Sequence, residues 1–173
     1  LLLHQLAQKT DRYQLDESDI SLISTASALH DIGKIMIPEE ILNEPGRLTE
    51  EEYATIKTHT TEGARILKGL AIGQDEPLVK VAHAICRWHH ERWDGGGYPD
   101  RLKGDEIPIA AQVVALADVY DALTSERCYK QSYSHEKAVD MILHGECGSF
   151  NPLLMECLKE SSELLRTELQ RSE

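Results

Sequence analysis

No stretch of this sequence approaches the roughly 18 consecutive apolar residues needed to cross a bilayer, and its first residues carry no signal-peptide pattern. Its four cysteines (Cys86, Cys128, Cys147 and Cys157) are scattered, with no CxxC spacing. That argues against a disulfide framework or a thiolate metal site and fits reduced, partly buried thiols in a cytoplasmic protein. Positive charge is scarce: 18 Lys and Arg stand against 30 Asp and Glu, for a net charge of −12, which argues against nonspecific binding to nucleic acid. Much of the acid reads as solvated surface, as in Glu50-Glu51-Glu52 and the tail from Glu160 to Glu173. An anionic substrate would then need a local positive centre, and bound metal is the obvious source. Alternating strand patterns, internal repeats and low-complexity segments are also missing. The chain opens on Leu1-Leu2-Leu3 without an initiator Met, so we expect a fragment of a longer protein, entered partway along a helix.

What is present is helical periodicity on a chain of 173 residues and 19.5 kDa, enough for one domain spanning 1–173 with a proper core. Leu22, Ile23, Ala26 and Leu29 recur at three- and four-residue steps and lead into His30-Asp31. Asn43-Glu44-Pro45-Gly46 marks a turn. Thr49-Glu50-Glu51-Glu52 is a capping box opening a helix whose apolar face carries Tyr53, Ile56, Gly63, Ile66 and Leu67. A further helix follows Pro77 and carries Leu78, Ala82, Ile85 and His89 in line. Asp94-Gly95-Gly96-Gly97-Tyr98-Pro99 is too rich in glycine to be regular. Pro108 opens a helix through Val113, Val114, Ala117 and Leu123, and later helices are predicted over about 134–144 and 152–169. The expected fold is all-α, a helical bundle with a Gly-rich loop.

The chemistry lies in His30-Asp31, His59, His89-His90 and Asp118. His59 falls three residues after Ile56 and four before Gly63, and His89 four after Ile85, so both follow buried stripes. Asp118 lies four after Val114, with Asp121 one turn further on the same face. One buried histidine is usually a hydrogen-bonded core residue, and one buried carboxylate is as easily a salt bridge as a ligand. A carboxylate on an apolar stripe is costly unless it pairs or binds metal, and the set as a whole reads as a metal centre. Imidazole with carboxylate suits Fe, Mn, Zn or Ni. Six ligands exceed the needs of one open site, so two ions are expected, with Asp31 bridging them. A bridging hydroxide between ions about 3.5–4 Å apart suits phosphate-ester hydrolysis. His4, His135 and His144 read as surface residues, and His83 as a packing residue.

The motifs His30-Asp31-Ile32-Gly33-Lys34, His59-Thr-Thr-Glu-Gly63 and His89-His90-Glu91-Arg-Trp-Asp94-Gly95-Gly96-Gly97-Tyr98-Pro99, with Asp118 to Lys130, resemble the HD-GYP family of HD phosphohydrolases over roughly residues 20 to 155. The resemblance implies an HD-type helical bundle holding two or three metals, often iron or manganese. It also implies hydrolysis of cyclic di-GMP to pGpG and, in some members, on to GMP. Carried onto matching positions, it makes His30, Asp31, His59, His89, His90 and Asp118 the metal ligands. Lys34 becomes a phosphate contact and proton donor to the leaving oxygen, Arg127 and Lys130 substrate contacts, and Asp121 a residue orienting one of these groups. The Gly-Tyr-Pro loop is linked in this family to diguanylate cyclase (GGDEF-type) partners, although anchoring the helix with His89-His90 is an equal use for it. An upstream sensor or receiver module is expected in the parent protein.

Two departures stand out. Family members carry a further metal-binding histidine on an upstream helix, so one metal site is expected to be incomplete here. Phe150-Asn151-Pro152 replaces the usual Phe-Asp-Pro, and an Asn still caps a helix. The rival readings are a catalytically inactive nucleotide- or protein-binding module, and a related phosphohydrolase acting on cyclic GMP-AMP or a nucleotide monophosphate.

Overall fold

A computed structural model of the chain describes residues 1–70, 75–125 and 132–172, with side chains through Glu168. Ten α-helices follow in order among the described residues, with no strand: α1 (Leu2–Lys9), α2 (Glu17–Ser27), α3 (Glu39–Leu42), α4 (Glu50–Lys57), α5 (His59–Lys68), α6 (Pro77–Trp88), α7 (Ile109–Thr124), α8 (His135–Leu143), α9 (Pro152–Glu160) and α10 (Ser162–Ser172). Short 3-10 turns cover Ile32–Met36 and Gly104–Glu106. The all-α expectation holds.

Local chemistry sets the starts. Thr49 makes the expected capping box with Glu52, and Asp16 makes a second with Asp19 at the head of α2. Pro77 and Pro152 sit in the first turns of α6 and α9, where the missing N–H is no loss. α6 is the central element, with α2, α5 and α7 packed around it. It turns the small residues Ala82 and Cys86 and the larger Ile85 inward, all with 0% exposure, so neighbouring helices approach closely. The Cys86 thiol donates to the Leu29 carbonyl at 3.0 Å, and burial pushes its pKa up to about 12, so it stays a neutral packing group.

The structure corrects four local expectations. The helix predicted from Thr49 to Leu67 is two helices broken at Thr58. Hydroxyls of Thr58, Thr60 and Thr61 donate to the carbonyls of Thr55, Lys57 and Thr58, competing with helical N–H groups for them at the break. Tyr53 consequently lies off the core face, 50% exposed. α2 stops at Ser27 rather than running into His30, where Thr25 and Ser27 hydroxyls take the carbonyls of Ser21 and Ser24. The helix predicted over 152–169 is interrupted at Ser161, whose ψ of 0° leaves the helical path. His135 is buried, not a surface residue: it lies between the Tyr120 and Ser162 hydroxyls at 2.8 Å each and ties α7, α8 and α10 together.

Asn151 does more than cap. Its Oδ1 accepts from the Leu153 N–H at 2.9 Å, and its amide donates to Gln112 Oε1 and to the Tyr13 hydroxyl, both at 2.8 Å. Asn151→Ala is expected to lower stability by about 2 kcal/mol, from the lost cap and the stranded Gln112 carbonyl. Urea denaturation at neutral pH measures it, and a midpoint equal to that of the unchanged protein would contradict this account.

Candidate metal centre

The centre is built where helices end. At the C-terminus of a helix the last carbonyls lack intrahelical donors, and three histidines use carbonyls in or beside such last turns. His30 Nδ1–H donates to the Ser27 carbonyl at 2.8 Å, beyond α2. His59 Nδ1–H donates to Ile56 at 2.7 Å, at the break between α4 and α5. His89 Nδ1–H donates to Ile85 at 2.9 Å and Cys86 at 3.1 Å, at the end of α6. A carbonyl only accepts, so Nδ1 carries a proton in all three; in the neutral His59 and His89 this leaves Nε2 as the lone-pair nitrogen, and in His30 the same nitrogen is freed once it gives up the proton it shares with Asp118 and Asp31. That is the tautomer a metal ligand needs, and such oriented imidazoles are typical of metal sites.

The free nitrogens converge. His59 Nε2 and His89 Nε2 are 3.4 Å apart, and one ligand atom from each of His59, His89 and His90 lies within 4.8 Å of the others. Asp31 Oδ1 stands 3.5 Å from His59 Nε2 and 3.9 Å from His89 Nε2. Its other oxygen, Oδ2, stands 3.3 Å from His30 Nε2 and 2.6 Å from Lys34 Nζ. His30 Nε2 is also 3.6 Å from Asp118 Oδ1. Asp31 thus turns one oxygen to the pair His59 and His89 and the other to His30, the disposition a bridging carboxylate requires.

The electrostatics split accordingly. Burial lowers the pKa of His59, His89 and His90, the last two to about 4 and about 2, so all three are neutral donors at pH 7. Hydrogen bonds to Asp118 and then Asp31 raise His30 to about 10. Burial works to raise Asp31 and Asp118, but hydrogen bonds from His30, and for Asp31 also from Lys34, outweigh it and hold both below the usual carboxylate range. Two ionised carboxylates at the mouth of a buried imidazole cluster demand positive charge, and in this protein a protonated His30 supplies it. A divalent ion meets the same demand with the same atoms, so the donor set fits a metal.

Glycines permit the closure. A Cβ on Gly33 would lie 1.9 Å from the His59 carbonyl oxygen, so the turn after Asp31 can lie against the start of α5 only as glycine. A Cβ on Gly97 would lie 2.5 Å from the His90 carbonyl oxygen and 2.4 Å from Glu91 Cα. Glu91, 2% exposed, accepts from the N–H groups of Asp100 (2.7 Å) and Leu102 (3.0 Å), and Arg87 and Trp88 both donate to Asp100 at 2.7 Å. The loop, with its cis Tyr98–Pro99 bond, is thereby strapped to the end of α6, and the Tyr98 ring stacks on His90 at 4.9 Å and 16°. Sequence reasoning passed over Glu91 and Arg92. Arg92 lies over the Phe150 ring and donates to the Glu91 carbonyl at 3.0 Å. Their signal was only that charged residues follow a histidine pair directly.

Asp121 accepts from the Ser125 hydroxyl at 3.1 Å and shares with His30 and Asp118 an apolar cavity of about 400 Å³. Arg127 and Lys130, expected substrate contacts, lie outside the described residues, as does Cys128. No helix among the described residues is long and apolar enough to cross a membrane.

Comparison with known proteins shows the family. Residues 2–150 match the family model described as an HD domain. The chain is 43% identical over 159 residues to a probable cyclic di-GMP phosphodiesterase of Vibrio cholerae, covering 90% of this chain and 36% of that protein. It is 42% identical over 148 residues to a 3′3′-cGAMP-specific phosphodiesterase of the same organism, covering 86% and 28%. A cyclic di-GMP phosphodiesterase of Thermotoga maritima is 41% identical over 158 residues, covering 89% and 42%. The chain belongs to the HD domain family, in the HD-GYP group that its motifs resemble. It spans 28–42% of the length of these relatives.

The strap can be tested through pH. Hydrogen bonding from Arg87, then from Trp88, holds Asp100 below its ordinary value of 3.8. A depressed carboxylate contributes stability above its unfolded pKa and loses it as pH falls through the folded one. Asp100→Asn is therefore expected to lower the urea midpoint at pH 7, with the deficit closing progressively below pH 3.8. A deficit independent of pH would assign the effect to packing instead.

Proposed function

We propose that this domain is a metal-dependent phosphodiesterase that opens cyclic di-GMP to pGpG. The carrying observation is the convergence of three imidazole Nε2 atoms, each fixed by a carbonyl behind it, on the two oxygens of Asp31. His59, His89 and His90, with one oxygen of Asp31, would hold one ion, and His30, Asp118 and the other oxygen of Asp31 a second, iron or manganese by the expectation from the family. Ions so held polarise a phosphoryl oxygen and acidify bound water.

The chain's own part is positioning and charge. Lys34, ion-paired to Asp31 at 2.6 Å yet 44% exposed, keeps a cation at the open side of the cluster. There it stabilises charge on the leaving 3′ oxygen and can supply its proton. Tyr98 and the strapped loop shield His90 from water. Asp121, Arg127 and Lys130 remain our proposed orienting and substrate-binding residues. The Gly-Tyr-Pro loop is a proposed contact for a diguanylate cyclase partner, and a regulatory module in the remaining length of the parent protein is part of the same reading, with the domain working in the cytoplasm. One specific observation favours a second substrate: identity to the 3′3′-cGAMP-specific relative, 42%, nearly equals the 43% to the cyclic di-GMP relative.

Anaerobically purified protein is expected to carry about two Fe or Mn per chain and to form pGpG, with chelation abolishing turnover. His59→Ala and Asp118→Ala are each expected to lose metal and activity together, and Lys34→Met to lower kcat on the order of 10²-fold with metal retained. Activity surviving both ligand substitutions would end the metal-centred reading. Full metal without turnover of either cyclic dinucleotide would leave a binding module.

A further inference from the structure

Lys57 closes α4, two residues before His59. Among the described residues it forms no ion pair, in a chain with 30 Asp and Glu. Its Nζ lies instead 5.0 Å from the centroid of the Tyr53 ring, one turn back on α4, and 5.8 Å from that of Tyr98 on the Gly-rich loop. Tyr98 stacks in turn on His90, so the three side chains form a strip leading outward from the candidate centre. Tyr53 is half exposed, and α4 has no fully buried residue, so this ring serves no core.

A cyclic dinucleotide has two phosphates and two purines. A metal centre acting on one phosphodiester leaves a second negative charge and the bases to be held by other groups. Lys34 is already engaged with Asp31 at 2.6 Å. Lys57 has three N–H donors, and the partners it meets are ring faces. An exposed aromatic face beside a cation, as Tyr53 is beside Lys57, suits a stacked base joined to a phosphate, because every base has a π-face.

We propose that Tyr53, Lys57 and Tyr98 form a nucleotide-binding rim that holds the uncleaved half of the substrate, with Lys57 on its phosphate and Tyr53 against its base. This rests on the cyclic-dinucleotide reading above. The rim acts on binding and takes no part in bond cleavage.

Steady-state kinetics with cyclic di-GMP, together with metal content and circular dichroism for each variant, tests it. Lys57→Met and Tyr53→Ala are each expected to raise KM about ten-fold, with kcat within about two-fold and metal content unchanged. Lys57→Arg and Tyr53→Phe keep the charge and the ring and are expected to stay near the wild-type KM. Wild-type KM in both Lys57→Met and Tyr53→Ala would overturn the proposal. A joint fall in kcat and metal at constant KM would also overturn it, making the strip a prop for His90. Wild-type protein that neither binds nor cleaves a cyclic dinucleotide would end the functional reading and this one with it. A wild type that cleaves cyclic di-GMP while the variants match it would end only this one.

Discussion

Everything at the centre depends on one kind of hydrogen bond, the imidazole Nδ1–H given to a carbonyl in or beside a helix's last turn. It is made by His30, His59 and His89, with lengths between 2.7 and 2.9 Å. The bond sets the tautomer, the ring orientation and the direction of the remaining lone pair together. At Ser27 and Ile85 the imidazole is a second donor to a carbonyl that also accepts a backbone N–H, so the ring is held to the end of its helix and Nε2 is aimed at the centre.

This dependence explains what was legible in the sequence. That these side chains gather was readable because His30-Asp31, His89-His90 and an inward-facing Asp118 have little structural use in such number; their service as metal ligands is the proposal. The all-α class was readable from three- and four-residue periodicity. The breaks were not, because periodicity continues across them: Ile56 and Gly63 flank His59 at helical spacing although they belong to separate helices. What ends α4 is the competition of three threonine hydroxyls for nearby carbonyls, each a small effect that pattern matching weighs as an ordinary helix residue. His135 was misplaced for a related reason, since the hydroxyls of Tyr120 and Ser162 that bury it lie 15 and 27 residues away.

The loop after His90 shows the same logic at longer range. Its glycines announced irregular backbone, but not what the irregularity serves. Gly97 lets the chain return against the His90 carbonyl, and Glu91 then receives two N–H groups from the returning segment. A carboxylate next to a histidine pair invites reading as a ligand. Here it is consumed by backbone donors on the far side, and its role is to fix the loop that places Tyr98 on His90.

Charge distribution ties the parts together. A chain of net charge −12 repels a dianionic substrate at long range, and screening over about 8–10 Å at physiological ionic strength confines that repulsion to close approach. Attraction must then come from charges near the contact itself. Burial keeps His59, His89 and His90 neutral, while His30 and Lys34 only balance the ionised Asp31 and Asp118, so the cluster by itself offers a phosphate no net attraction. In the proposed reading a bound metal would add positive charge there, and Lys34 and Lys57 would extend it to the rim. Removing metal should thus weaken substrate binding as well as chemistry, which separates this design from one whose binding energy comes from a basic protein surface.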